Sequence, residues 1–323
     1  MKTTVRSVLK KVFEIKQIGL IIAIIVLSLV MTIINSEFIS LDNIRDILLN
    51  ISIITIAGVG ISLVILTGEI DISIGSQLAV AATVSALFVE AGGSPLLSVL
   101  IAIAVGAFLG FINGFLIYKT GMHSIIITLG TMTILRGLNI LIMRGKWITD
   151  LPNDFWLLGN FRILQIPIPV WVMFLCVLIA TILVKKTSLG REIYLIGDNI
   201  DAARVSGVKV GKVKILVFTI LGAVVGLAAV LKAARFGWVM TNMGQGFEFA
   251  VIGAAVVGGI SIFGGVGSII GMFLGSILMG IIPNALVLIR VPTTWERTIL
   301  GLLILFAVSS DAILKNRKKK IKE

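Results

Sequence analysis

The chain of 323 residues is 58% hydrophobic and only 14% charged, against roughly 45–50% and about 25% in soluble domains. Too few charges remain to cover a soluble surface of this size, so a soluble enzyme and a disordered chain are both excluded. One cysteine and one histidine rule out a disulfide framework and a clustered zinc site. The net charge of +12 reads as loops facing anionic lipid, not as a nucleic-acid surface.

Apolar runs near the 17–25 residues that cross a bilayer predict ten spans, at 18–35, 51–67, 77–91, 96–118, 124–143, 167–184, 213–233, 248–262, 268–289 and 298–314. Residues 1–17 form a basic tail with Lys2, Arg6, Lys10, Lys11 and Lys16. The run behind it has no small-residue cleavage site and is expected to stay as a helix. Between the first two spans, residues 36–50 mix Glu37, Asp42, Arg45 and Asp46 with apolar positions, predicting a short amphipathic helix.

After the second span stands LTGEIDISIGS from Leu66. An acid at bilayer depth costs about 2.5–3.5 kcal/mol, so it faces protein or water. Two arrangements accommodate Glu69, Asp71 and Ser73: a broken helix lining a cavity, or a tight cytoplasmic turn with both acids solvated. The span count favours the turn. Gly106, Gly110 and Gly114, then Gly222 and Gly226, then Gly267, Gly271 and Gly275 recur every four residues, a spacing that lets helix backbones approach closely.

The fifth span carries Thr128, Thr131, Thr133 and Arg136. Threonine hydroxyls can bond their own helix. Arg136 requires a partner: it snorkels to the interface near Arg144, or pairs with Glu69 or Asp71. Residues 144–166 hold Asp150, Asp154, Trp147 and Trp156, suited to an external interfacial cap.

The segment 185–212 is polar and compact. A short helix over DNIDAARVS, capped by Asp198 or Asn199 and bounded by Gly197 and Gly207, suits docking of a cytosolic partner; the alternative is a plain solvated connection. Glu248 opens the eighth span, either as a charge favoured by the helix dipole or as an external gate or docking residue. A basic tail, 315–323, ends the chain.

Charge sets the expected orientation. The N-terminal tail, the loop Lys185–Lys214 and the C-terminal tail hold five, seven and six of the 28 positive charges. The positive-inside rule places all three in the cytoplasm, which six spans before Lys185 and four after it satisfy. The fold class expected is an all-α polytopic membrane protein with both termini cytoplasmic. GAFLGFINGFLI from Gly106 echoes GSILMGIIPNALVL from Gly275, raising an inverted repeat of spans two to five and seven to ten, although so short a match also arises by chance.

Nucleotide motifs fail. Gly207-Val-Lys-Val-Gly211-Lys212-Val213 has one residue too few between its glycines and no Ser or Thr after the lysine, and Gly265-Val-Gly267 lacks a third glycine. No cofactor is expected, and any ATP-driven step needs another polypeptide.

The chain resembles the permease subunits of the ribose-type family of ATP-binding-cassette importers. LTGEIDISIGS, ITLGTMTILRG from Ile127, IYLIGDNIDAARVSGVKV from Ile193 and FGGVGSIIG from Phe263 carry the resemblance, in order, between about Leu41 and Asp311. GKWITDLP from Gly145, YLIGDN from Tyr194 and ALVLIRVPTTWERTILGLLIL from Ala285 look most like the branch importing autoinducer-2, with rhamnose and ribose permeases next. Thr294 and Arg297 depart from that branch and leave the substrate open.

The resemblance implies a non-catalytic subunit of the bacterial cytoplasmic membrane that imports a sugar-like molecule. Its implied partners are a second permease subunit, two cytosolic ATPase domains and an external solute-binding protein. It assigns ATPase coupling to the loop with Gly197, Asp198, Asn199, Ala202, Ala203, Arg204, Ser206 and Gly207. The pathway residues expected are Glu69, Asp71, Ser73, Thr128, Thr131 and Arg136. The competing reading is an ion-coupled secondary transporter of a small polar solute.

Overall fold

The computed structural model describes residues 2–292 and 294–320. In chain order the helices are α1 (Lys2–Ile34), α2 (Leu41–Leu66), α3 (Ile74–Glu90), α4 (Pro95–Thr120), α5 (Ser124–Met143), α6 (Asn153–Asn160), α7 (Ile168–Lys186), α8 (Ser188–Asp198), α9 (Ile200–Val205), α10 (Val210–Phe236), α11 (Phe247–Val257), α12 (Ile269–Leu288) and α13 (Thr294–Lys320). Between α6 and α7 a two-residue hairpin pairs β1 (Arg162–Ile163) with β2 (Ile166–Pro167). Leu164 and Gln165 take positive φ at its tip, as a twisted two-residue hairpin turn requires.

The protein is an all-α polytopic membrane protein. Among the described residues, seven helices are long and apolar enough to cross a membrane: α1 over Gln17–Ile34, α2, α4, α5, α7, α10 and α12. The apolar helices α3 and α11 are shorter. At 1.5 Å per residue, the 11 residues of α11 reach about 16 Å, half the roughly 30 Å hydrocarbon core.

Several boundaries differ from those the sequence suggests. No separate amphipathic helix covers 36–50. A 3-10 turn at Ser36–Ile39 precedes Ser40, whose hydroxyl caps Asn43 N at 3.3 Å, and α2 has already begun. The predicted eighth span stops at Val257 because glycines follow it, with Gly259, Gly264, Gly265 and Gly267 at positive φ. The expected basic tails are helical where described, in α1 and α13; residues 321–323, with Lys322, lie outside the described residues.

α2 runs through the centre. Every residue from Ile51 to Leu66 is buried, as befits a helix apolar all round and enclosed on all sides; α7, α10, α11 and α12 surround it. α4 packs along α10 through the glycine rows: a Cβ at Gly106 would overlap the Gly222 carbonyl, one at Gly110 the Phe218 carbonyl, and one at Gly226 the Ala102 carbonyl. α11 meets α12 the same way, through Gly258, Gly271 and Gly275. Outward-facing helices carry exposed Ile25, Leu29, Phe108, Ile134, Leu141 and Leu178.

The contacts form matched pairs. α4 packs on α10 and α12 on α2; α3 on α4 and α11 on α12; α3 on α5 and α11 on α13; α3 on α10 and α11 on α2. Each pair turns into its partner when α2–α5 are exchanged with α10–α13.

Candidate functional site

Two interrupted segments enter the bundle from opposite ends and meet. The first links α2 to α3. Thr67 closes α2 by donating its hydroxyl to Val64 O at 2.7 Å, and Gly68 turns the chain at φ +81°. Residues 70–72 then climb α5 outside any helix. The Ser124 hydroxyl accepts from Ile70 N at 3.0 Å and the Thr128 hydroxyl from Ile72 N at 3.1 Å.

At the top of this link Asp71 is fully buried. Its carboxylate accepts from Ser73 N (2.7 Å), Ser73 Oγ (2.6 Å), Gln77 Nε2 (3.0 Å) and Asn113 Nδ2 (3.1 Å). The acid thus sits at the N-terminus of α3, where the dipole favours negative charge. Full burial removes the solvated-turn reading for Asp71. Glu69 instead faces the basic end and pairs with Lys214, both side chains mostly buried.

The second link, from Gly237 to Gly246, joins α10 to α11. It first pairs Val239 with Ile148, then descends α5 toward Gly75. Asn139 Nδ2 donates to Thr241 O at 3.2 Å, and the Arg136 guanidinium donates to Met243 O at 2.8 Å and Gly244 O at 2.9 Å. Arg136 therefore neither snorkels to the interface nor pairs with Glu69 or Asp71: unwound carbonyls inside the bundle offer better acceptors than headgroups. Thr131 is half-buried between the two sets and donates to Thr128 O at 3.2 Å.

Where the links meet, Gly75 touches Gly244. A Cβ on Gly75 would overlap both the Gly244 carbonyl and the Glu248 carboxylate, and would lie 3.1 Å from Arg136 Nη2. Gly244 takes φ +73° and Gly246 +82°. Glu248 is buried in the first turn of α11; its Oε1 accepts from Gly246 N at 3.2 Å, and its Oε2 has no hydrogen-bond partner among the described residues. Two helix N-termini, two carboxylates and one guanidinium thus form a polar station in an apolar bundle. Ser124, Gln77, Asn113 and Asn139 belong to it and were missed from sequence; an isolated Asn inside an apolar run was the available signal.

At the basic end, the segment 185–212 holds α8 and α9 between the last residues of α7 and the first of α10. Asn199 is the cap: its Oδ1 accepts from Asp201 N and Ala202 N, both at 3.0 Å. Asp198, Ala202, Arg204, Ser206 and Gly207 are exposed, and Gly207 turns the chain at φ +82°. Ala203 and Gly197 face their own chain. Ala203 is fully buried, and a Cβ on Gly197 would overlap the Leu66 carbonyl and Gly265 N. The Tyr194 hydroxyl donates to Gly267 O at 2.8 Å, and burial pushes this phenol up from its ordinary pKa, keeping it a donor.

At the opposite end a cavity of about 660 Å³ opens between α2, α10, α11, α12 and α13. Asn50, Lys232, Arg235, Gln245, Glu296 and Arg297 supply its polar lining. Sequence reading passed over it because Lys232 ends a run that otherwise reads as a uniform apolar span.

Paired interrupted helices around a buried polar station, inside a bundle of spanning helices, define a solute permease of the membrane. The chain belongs to the family described as the permease component of branched-chain amino acid transport systems, whose family model matches residues 43–308. It is similar to the ribose import permease protein RbsC of Haemophilus influenzae, 35% identical over 301 residues, covering 92% of this chain and 93% of that one. The autoinducer 2 import system permease protein LsrC of Photorhabdus luminescens is 33% identical over 313 residues, covering 97% and 95%. LsrC of Yersinia pestis (strain Pestoides F) is 36% identical over 295 residues, covering 91% and 84%. No solved structure matches. The chain is accordingly a multi-pass permease of a bacterial cytoplasmic membrane.

Proposed function

We propose that the chain is the membrane subunit of an ATP-driven importer of a sugar-like molecule of the ribose, autoinducer-2 or rhamnose type. The names of the relatives support the solute class, since ribose and autoinducer-2 permeases align over nearly the whole chain. ATP hydrolysis belongs to a separate subunit; an external binding protein delivers the solute, and a second permease completes the route. Ten segments cross the membrane, built on α1–α5, α7 and α10–α13, with the short α3 and α11 completed by the extended links that precede them, and with α1 starting and α13 ending in the cytoplasm. The matched packing of α2–α5 and α10–α13 supports an inverted repeat.

The observation that carries this reading is the contact between Gly75, at the start of α3, and Gly244 of the second link, beside α5. Each link leaves backbone groups that α5 alone satisfies, so a small tilt of α5 changes both at once. In this reading Glu69, Asp71, Ser73, Thr128, Thr131 and Arg136 build and hold the wall of the route, and Glu248 stands at its gate. The exposed α9 receives the ATPase, and Gly197 and Tyr194 tie its movement to the ends of α2 and α12. The test is ATP hydrolysis by the assembled complex in detergent, with the binding protein added empty or loaded with ribose, rhamnose or autoinducer-2. Stimulation by one loaded form identifies the solute. A rate indifferent to every loaded form contradicts the reading.

A further inference from the structure

The cavity of about 660 Å³ away from the basic end has the second link in its wall. Gln245, Gly246 and Phe247 line it, together with Asn50 of α2 and Glu296 of α13. Gly244, one residue back along the same link, is the residue that touches Gly75. Whatever occupies the cavity therefore bears on the backbone that Arg136 holds.

The charges in the lining already answer one another. Arg235 donates to Asn50 Oδ1 at 2.7 Å and to Asp46 Oδ1 at 3.2 Å. Glu296 lies within electrostatic reach of both Lys232 and Arg297, and the Lys232 ammonium also stands 5.1 Å from the centre of the Phe247 ring. Little net charge is left to hold an ion.

What is left is neutral hydrogen-bonding capacity. The bond from Arg235 to Oδ1 orients the Asn50 amide and leaves its Nδ2 without an acceptor among the described residues. The side-chain amide of Gln245 also has no partner among them. Pro283, inside α12, has no N–H to give Met279 O one turn earlier, and both residues line the cavity. Ile53, Ile54, Ala250 and the exposed ring of Phe236 supply apolar surface beside these groups. Amide donors, carbonyl acceptors and an aromatic face together fit a small ring with hydroxyls on its rim, whose polarised C–H groups lie against the negative face of the aromatic ring. The volume falls within the roughly 300–1,000 Å³ of small-molecule pockets.

We propose that this cavity is a solute subsite inside the permease, taking an uncharged, hydroxyl-rich ring on its way from the binding protein. Asn50, Gln245 and Glu296 select it by hydrogen bonds to its hydroxyls. The proposal rests on the import of a sugar-like molecule and adds where this chain recognises it. Because Gln245 and Gly246 follow Gly244 directly, an occupied cavity acts on the contact between the two links.

The test titrates the full chain in a neutral detergent, without binding protein, with ribose, rhamnose, autoinducer-2 and inorganic phosphate. Binding is read by saturation-transfer NMR and stabilisation by thermal unfolding. One of the three hydroxylated solutes is expected to bind saturably, with phosphate unable to displace it. Gln245→Leu and Glu296→Leu should each weaken that binding at least about three-fold, the loss of one hydrogen bond. Lys146→Gln, at an exposed lysine outside the cavity, should leave it unchanged. Gln245 is exposed, so its variant keeps the test decisive if Glu296→Leu, which deprives Lys232 of its acid, fails to fold. Binding of none of the three solutes, or binding indifferent to Gln245→Leu, overturns the proposal. Phosphate binding in their place makes the site one for an anion and overturns it as well. ATP hydrolysis by the assembled complex separates this failure from that of the importer reading. If a loaded binding protein stimulates hydrolysis while the permease alone binds no solute, the subsite falls and the importer stands; hydrolysis indifferent to every loaded form strikes the importer reading itself.

Discussion

The guanidinium of Arg136 donates to the main-chain carbonyl of Gly244 at 2.9 Å, tying a continuous helix to a backbone that has unwound. The same side chain holds Met243 O at 2.8 Å, while two turns below it Thr128 holds Ile72 N on the other link. α5 is thus the common support of both interruptions.

Arg136→Ala should strand the Met243 carbonyl inside the bundle and leave Gly244 O only its bond from Phe247 N, each lost bond worth about 1–2 kcal/mol in a membrane protein. Melting temperature in detergent should fall and uptake should be lost, while Arg136→Lys, with a compact charge and no planar fork, should restore part of both. Unchanged stability in the alanine variant would detach Arg136 from the link.

Gly75→Ala should destabilise the protein by roughly 1–3 kcal/mol through overpacking against Gly244 and Glu248. Gly130→Ala and Gly137→Ala on α5 are the contrast, since a Cβ at either meets nothing within 4 Å. Thermal unfolding of the three variants checks this: similar losses in all would mean that the Gly75 contact is not tight.

The seven long apolar helices were legible in sequence because each is an apolar run, and the glycine rows because close packing repeats every four residues. The cap of α9 was narrowed to Asp198 or Asn199 because a cap is local, and the structure selects Asn199. The polar station was not. Asp71 is satisfied in part by Asn113, 42 positions away, and Arg136 by Met243 and Gly244, 107 and 108 positions away. A buried acid and a solvated one look alike until the chain is folded. The break after Val257 was hidden by apolar residues continuing past the helix end.

Glu69→Gln or Lys214→Gln alone should cost about 3 kcal/mol, since each leaves a mostly buried charge unpaired. The double variant should recover much of that loss. Additive losses in a thermal-unfolding double-mutant cycle would show that the pair is not coupled.

Coupling is checked at α9. Arg204 is exposed and held only by Asp201, three positions earlier, at 3.2 Å, and Val205 is 91% exposed. Arg204→Ala and Val205→Asp should leave unfolding unchanged and reduce co-purification of the ATPase several-fold. Ala203→Glu tests folding instead, because Ala203 is buried in its own chain. Full co-purification with both exposed variants would move the docking surface elsewhere.

The most direct measurement is solute uptake into proteoliposomes holding the permease and its ATPase, with the loaded binding protein outside. Uptake should require ATP inside and persist when ionophores collapse the proton and sodium gradients. Uptake that continues without ATP and stops with the ionophores would contradict the account and make the chain an ion-coupled transporter.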